Sequence, residues 1–236
     1  MFNYNFNILN NLFFSIIQSS VDSETLAWLQ EKADLANGDE PFSKFIIAFS
    51  IVSRKVPKVG VEVSDKDAAA INEVIPHFSI SNWSLKKLCR VWLIMQIDAS
   101  DQASYIRKID ELFRDADMNE LATLYAALPV LAYSGHWEKQ CAVGIRSNIG
   151  YVLDAVIMDN PYPAEYLNED AWNQLILKAI FTDKDVSRII GLEKRVNKAL
   201  VIALRDYADE RNAAGRTINP KLWEIVDLFE KKHINN

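Results

Sequence analysis

Residues 160–181 read NPYPAEYLNEDAWNQLILKAIF. Asn160-Pro161-Tyr162-Pro163 cannot continue a helix, because each proline lacks an N–H and biases the residue before it toward extended geometry. Asn168 then offers an N-cap, and Glu169 and Asp170 follow where the positive end of a helix dipole favours acids. From Ala171 to Phe181 the helix is apolar on nearly every side, which predicts a central, buried helix. It nonetheless carries Asn173, Gln174 and Lys178. A lysine in such a helix meets a carboxylate, snorkels to an edge or does chemistry.

Outward from this stretch the apolar period is 3.6 almost everywhere. Asp22 or Ser23, Ser64, Ser84, Ser100 or Asp101, and Asp117 each precede an apolar stripe as an N-cap would. Glu120 falls three residues after Asp117, where a capping-box acid belongs. Gly191 and Gly215 close helices, and Val59 to Val63 is the one short candidate strand. With only 7 Gly and 7 Pro in 236 residues, the chain lacks the frequent turns an all-β protein needs. The expected fold is all-α. About a dozen helices with short connections would form a single domain over 1–236, as an array of antiparallel hairpins of the HEAT-like or α-solenoid type.

The net charge of −6 argues against generic attraction to nucleic acid. Cys89 and Cys141 form no CxxC and read as buried free thiols. The first twenty residues are apolar and carry no charge before Asp22. They lack the basic region of a signal peptide and are too short and polar to span a bilayer. One reading is a helix packed on the domain. The other is a weak contact with a membrane surface through residues 1–20, although no Lys or Arg flanks it.

Little complete chemistry is visible. His77, His136 and His233 are widely separated, and His136, Glu138 and Cys141 match no zinc spacing. The acids from Asp110 to Asp115 lack the paired aspartates of a magnesium site and read as a solvated face. No Walker loop, GxGxxG, GxSxG or kinase set occurs, so neither metal nor cofactor is expected. A polar set remains: Arg146 and Asn148 at a helix junction, Lys178, Lys194, Arg195 and Asn197 after Gly191, and Asp206, Tyr207, Glu210, Arg211 and Arg216 on or just past a long helix. Such residues either cap helices and tie neighbours together, or form an anion-binding or acid/base site.

Several motifs occur in a recognisable order: Ala116-Asp-Met-Asn-Glu-Leu121 with Leu124-Tyr-Ala-Ala-Leu-Pro129; Gly144-Ile-Arg-Ser-Asn148; Asn160-Pro-Tyr-Pro-Ala164; Ala171-Trp-Asn-Gln174 with Leu177-Lys-Ala179; Ile190-Gly-Leu192 with Arg195 and Asn197; and Asp206-Tyr-Ala-Asp-Glu-Arg211 leading to Ala214-Gly-Arg216. Together they resemble the EboA family, over about Pro41 to Phe229. The resemblance implies a bacterial cytoplasmic protein of the ebo gene cluster. Its neighbours there resemble a UbiA-type prenyltransferase, a TatD-like hydrolase, a sugar-phosphate isomerase and a dehydroquinate synthase. The cluster is linked to handling or export of secondary-metabolite precursors, and no catalytic residues come with the family.

Two functional readings follow. The first is a non-catalytic binding or scaffold protein for a secondary-metabolite precursor, prenyl- or aromatic-linked, or for a partner enzyme of the pathway. Its candidate ligand-binding residues are Arg146, Asn148, Tyr162, Trp172, Asn173, Lys178, Arg195, Asp206, Tyr207, Glu210 and Arg211. The second is a small-metabolite enzyme with buried Lys178 as base or nucleophile and Arg146 and Arg195 as anion anchors. For Lys178 itself the expectation is a carboxylate partner, Asp206 or Glu210; for the arginines it is a wet cleft. Replacing Pro161 and Pro163 together by alanine is expected to lower the melting temperature at unchanged helix content, by freeing the unfolded chain. Thermal unfolding followed by circular dichroism checks this, and an unchanged melting temperature would show that the prolines are not structural determinants.

Overall fold

The structure is a computed structural model that describes residues 1–234. Fourteen α-helices and three 3-10 turns succeed one another, and no strand occurs among the described residues. The all-α class read from the 3.6 period therefore holds. The candidate strand at Val59–Val63 supplies one isolated bridge, Gly60 to Ser84. There Val61 N–H donates to the Trp83 carbonyl and Leu85 N–H to that of Val59, both at 2.9 Å. The chain divides into two compact units, Met1–Trp137 and Glu138 onward.

The first unit holds α1 (Phe6–Ser20), α2 (Ser23–Asp34), α3 (Phe42–Lys55), α4 (Asp65–Val74), α5 (Leu85–Met95), α6 (Gln102–Asp115) and α7 (Met118–Ala126). The caps are those the sequence offers. Asp22, Ser64, Ser84 and Asp101 each accept a backbone N–H three residues on. Asp117 and Glu120 close a reciprocal capping box. Each such cap satisfies a donor the helix leaves free, which stabilises by about 1 kcal/mol.

The central helix of this unit is α5. Leu85, Leu88, Cys89, Arg90 and every residue from Val91 to Met95 are buried, and α5 packs against α1, α2, α3 and α7. In a solenoid each hairpin touches only its sequence neighbours. Here one helix is surrounded, so the unit packs as a bundle about α5. Helix α1 lies along α5 and α4 with Leu9, Phe13, Ile16 and Ile17 buried. The apolar face considered above for a membrane surface thus belongs to the core.

One ion pair enters that core. Arg90 is 3% exposed and Glu120 4%, and Arg90 Nη2 donates to Glu120 Oε1 at 3.3 Å. Arg90 Nε also donates to the Phe49 carbonyl at 3.0 Å, with the guanidinium 5.3 Å from the Phe49 ring. Glu120 in turn accepts the Asp117 N–H at 2.9 Å. Burial lowers the Arg90 pKa, and the acids Glu120 and Asp117 oppose that shift.

The second unit holds α8 (Glu138–Ile145), α9 (Gly150–Ile157), α10 (Tyr162–Tyr166), α11 (Glu169–Phe181), α12 (Leu192–Arg195), α13 (Lys198–Ala213) and α14 (Lys221–Ile234). The Asn160-Pro-Tyr-Pro stretch breaks the chain as expected. It also starts a helix, because Pro161 caps α10 and Pro163 lies in its first turn, where a missing N–H costs nothing. Helix α11 departs from expectation. It packs on α8 and α13 and buries Trp172, Leu175, Ile176, Ala179 and Ile180, but Gln174 and Phe181 are exposed and Leu177 and Lys178 half-buried. It is an amphipathic helix with one open face.

Removing one partner of a buried pair strands the other charge, at a cost of about 3–5 kcal/mol. Arg90→Met is expected to lower stability by about that much in urea unfolding. The double variant Arg90→Met/Glu120→Met should recover part of the loss, since it leaves no unpaired carboxylate. A loss below about 1 kcal/mol for Arg90→Met, the range of exposed pairs, would show that the pair is not part of the core.

Candidate functional site

Helix α11 places Gln174, Leu177, Lys178 and Phe181 on one face, at the i, i+3, i+4, i+7 spacing. Ile145 and Arg146 meet that face from the end of α8. Together these six residues line an open groove of about 280 Å³ that contains no acid. The loop from Arg146 to Ile149 follows α8, and its Asn148 Oδ1 accepts from Lys178 Nζ at 3.0 Å. Arg146 is exposed and pairs with no described residue. Each cation also offsets the negative end of a helix, since Lys178 lies in the last turn of α11 and Arg146 follows the last residue of α8.

Phe181 is 48% exposed and rests on Tyr207 of α13, ring centroids 4.3 Å apart and tilted by 35°. The Arg211 guanidinium lies 5.9 Å from the Tyr207 ring and donates twice to the Thr217 carbonyl, at 3.0 and 2.6 Å. Tyr207 and Arg211 thus hold the wall of the groove from behind. Asp206 and Glu210 are exposed, and neither forms an ion pair with Lys178 among the described residues. The expected carboxylate partner of Lys178 is therefore replaced by a neutral amide, and the buried lysine by a half-buried one at a groove.

Arg195 corrects the second expectation. Its Nη1 donates to the carbonyls of Pro163 and Ala164 at 3.0 Å each, and its Nη2 to that of Leu167 at 2.8 Å. Its guanidinium lies 4.7 Å over the ring of Trp172. These carbonyls lie in and just after α10, and that of Pro163 also accepts the Leu167 N–H at 3.3 Å. Burial lowers the Arg195 pKa, and Glu169 works against that shift. Gly191 permits the approach. It has φ +80°, and a Cβ there would lie 2.7 Å from Ala164 Cβ. Trp172 is fully buried. Asn173 exchanges amide hydrogen bonds with Asn197 at 3.3 and 2.8 Å, while Asn197 caps α13. Tyr162 is 1% exposed, stacks on Tyr166 and donates its N–H to Asn160 Oδ1 at 3.0 Å. Tyr162, Trp172, Asn173 and Arg195 are thus one structural knot rather than groove lining.

Of the candidates named from sequence, Arg146, Asn148 and Lys178 come together at the groove. Ile145, Gln174, Leu177 and Phe181 were missed. The signal was available: the α11 spacing from Gln174 to Phe181 is that of one helix face, hidden because two of its members are apolar. Among the described residues no three His, Cys, Asp or Glu gather as a metal site. The side chain of His233 lies outside the described residues. Cys89 and Cys141 are buried free thiols; desolvation pushes the Cys89 thiol up to about 12 and raises Cys141 as well. No described helix is long and apolar enough to cross a membrane.

A family model described as metabolite traffic protein EboA matches residues 9–227. The chain belongs to the EboA family. The match starts inside α1 and ends inside α14, so it takes in both compact units and every groove residue of this EboA chain. No curated protein and no solved structure matched it.

The two basic residues are expected to separate. Arg195→Met removes three charge-assisted hydrogen bonds and a ring contact, and should cost about 2–4 kcal/mol. Lys178→Met removes one exposed bond to a neutral amide, and should change stability by no more than about 0.5 kcal/mol. Paired urea melts check this, and the reverse order would contradict the assignment of Arg195 to structure.

Proposed function

We propose that this EboA-family chain is a non-catalytic binding protein that holds a small anionic metabolite in the α8–α11 groove. The observation that carries the reading is the pairing of Lys178 and Arg146 on one open groove with no acid in its lining. Two cations left without a counter-charge there are costly to bring together and gain from an anion. Asn148 satisfies one proton of the lysine ammonium and leaves the others for a ligand. Apolar Ile145, Leu177 and Phe181 give that ligand a body to rest on. The family description, a metabolite traffic protein, supports a carrier over a catalyst.

The matched span runs through both units, which supports reading them as one EboA-type functional module. On the family resemblance its cargo is a secondary-metabolite precursor, its partners are the proteins of the ebo cluster, and it works in the cytoplasm. Handing such a cargo on requires binding that is reversible.

Native mass spectrometry of freshly purified full-length protein tests the proposal. A co-purifying small molecule is expected on the natural chain. At least a tenfold loss is expected in Lys178→Met/Arg146→Met, at unchanged helix content. A molecule retained undiminished by the double variant would contradict the site. Lys178-dependent conversion of the molecule by the purified protein would contradict the non-catalytic role.

A further inference from the structure

The groove differs from its surroundings in three ways that bear on what it accepts. First, its charge is modest. Among the described residues Lys178 and Arg146 are the only cations in its lining, and both lie at helix C-terminal ends, whose carbonyls oppose an anion. No helix N-terminus contributes to the lining. A phosphate monoester carries about −1.5 to −2 charges, and a diphosphate more. Sites for such groups use several cations, backbone N–H cradles or a carboxylate-held magnesium. Among the described residues no acid cluster would hold that metal. A single carboxylate matches what is present, since a planar carboxylate takes one donor from the ammonium and a fork from the guanidinium.

Second, the groove is small. Its volume of about 280 Å³ is at the lower end for small-molecule sites. A long isoprenoid chain would leave most of its length in water. A body of one or two rings fits.

Third, the apolar wall is flat and held in place. One face of Phe181 is fixed by Tyr207, Tyr207 is covered by Arg211, and Phe181 remains 48% exposed. An aromatic ring fixed from behind and open in front suits stacking with a flat partner.

We infer that the groove takes a compact aromatic monocarboxylate, its carboxylate between Lys178 and Arg146 and its ring on Phe181, with Asn148 as the neutral place-holder the carboxylate joins at Lys178. This rests on the reading of the groove as an anion site and names its ligand class. The role of Asn148 has its own consequence. An aspartate at that position would set a carboxylate beside Lys178 Nζ and act as a tethered competitor.

NMR titration of the full-length protein with 2-naphthoate, 2-naphthalenemethanol, decanoate and geranyl diphosphate tests it. We expect 2-naphthoate to bind at least tenfold tighter than the neutral alcohol, and about threefold to tenfold tighter than decanoate, the range of an aromatic pair. Geranyl diphosphate should bind more weakly than 2-naphthoate. Phe181→Leu should erase the preference for 2-naphthoate over decanoate. Asn148→Asp should weaken both carboxylates at least tenfold at an unchanged melting temperature. If decanoate or geranyl diphosphate binds as tightly as 2-naphthoate, or if the preference survives Phe181→Leu, the ligand class is wrong, while loss of binding in Lys178→Met keeps the groove as an anion site. If no probe binds at millimolar concentration, or binding ignores both Lys178→Met and Asn148→Asp, the groove reading itself falls.

Discussion

The guanidinium of Arg195 and the three carbonyls it meets in and just after α10 are the constraint on which the second unit depends. Helix α10 has only five residues, so most of its C-terminal carbonyls look outside it for donors. Arg195 supplies them from α12 and lies over Trp172 of α11. One side chain therefore joins three helices. The charge is half withdrawn from water, and what offsets that is geometry: a planar fork matched to carbonyls on one side and a ring face on the other. Gly191 is part of the same arrangement, since no residue with a Cβ would let α12 come so close to Ala164. With α11 held by Trp172, its opposite side, from Gln174 to Phe181, is left to face α8 and form the groove.

The first unit uses the same device differently. Arg90 reaches the middle of α3 by donating to Phe49 and Ser50 carbonyls, and reaches α7 through Glu120. Glu120 has a second duty as the acid of the α7 capping box. A residue that caps a helix is thus also the counter-ion of the central helix, and the start of α7 is tied to the middle of α5. In both units an arginine connects helices through backbone carbonyls. A guanidinium engaged by backbone carbonyls is therefore a structural motif of this chain, and it differs from the lysine and arginine that lie at the groove without a counter-charge.

Much of the fold was legible because its signals are local. The caps at Asp22, Ser64, Ser84, Asp101, Asp117 and Asn168 each depend on a side chain reaching a backbone N–H two or three residues on, which sequence displays directly. The break at Asn160-Pro161-Tyr162-Pro163 was equally plain. Identifying the surrounded helix was not, because α5 and α11 have similar apolar content and only tertiary packing distinguishes them. The site was half legible. Arg146, Asn148 and Lys178 stood out as polar residues beyond capping needs. Arg195 stood out on the same grounds and serves the opposite purpose, because sequence does not show whether a guanidinium meets carbonyls or solvent. Phe181 was hidden for the converse reason: an apolar residue at a helix end reads as core, and here it is a wall.

On the proposed reading an anion is held by the two groove cations, which have no counter-charge, and not by the half-buried guanidinium of Arg195. Crystals soaked in iodide and examined by anomalous diffraction test this most directly, because a halide reports where the protein offers an unsatisfied positive charge. An anomalous peak is expected in contact with Lys178 Nζ and the Arg146 guanidinium, and none at Arg195, whose donors are already engaged. Ordered iodide at Arg195, with the groove between Lys178 and Arg146 empty, would contradict it.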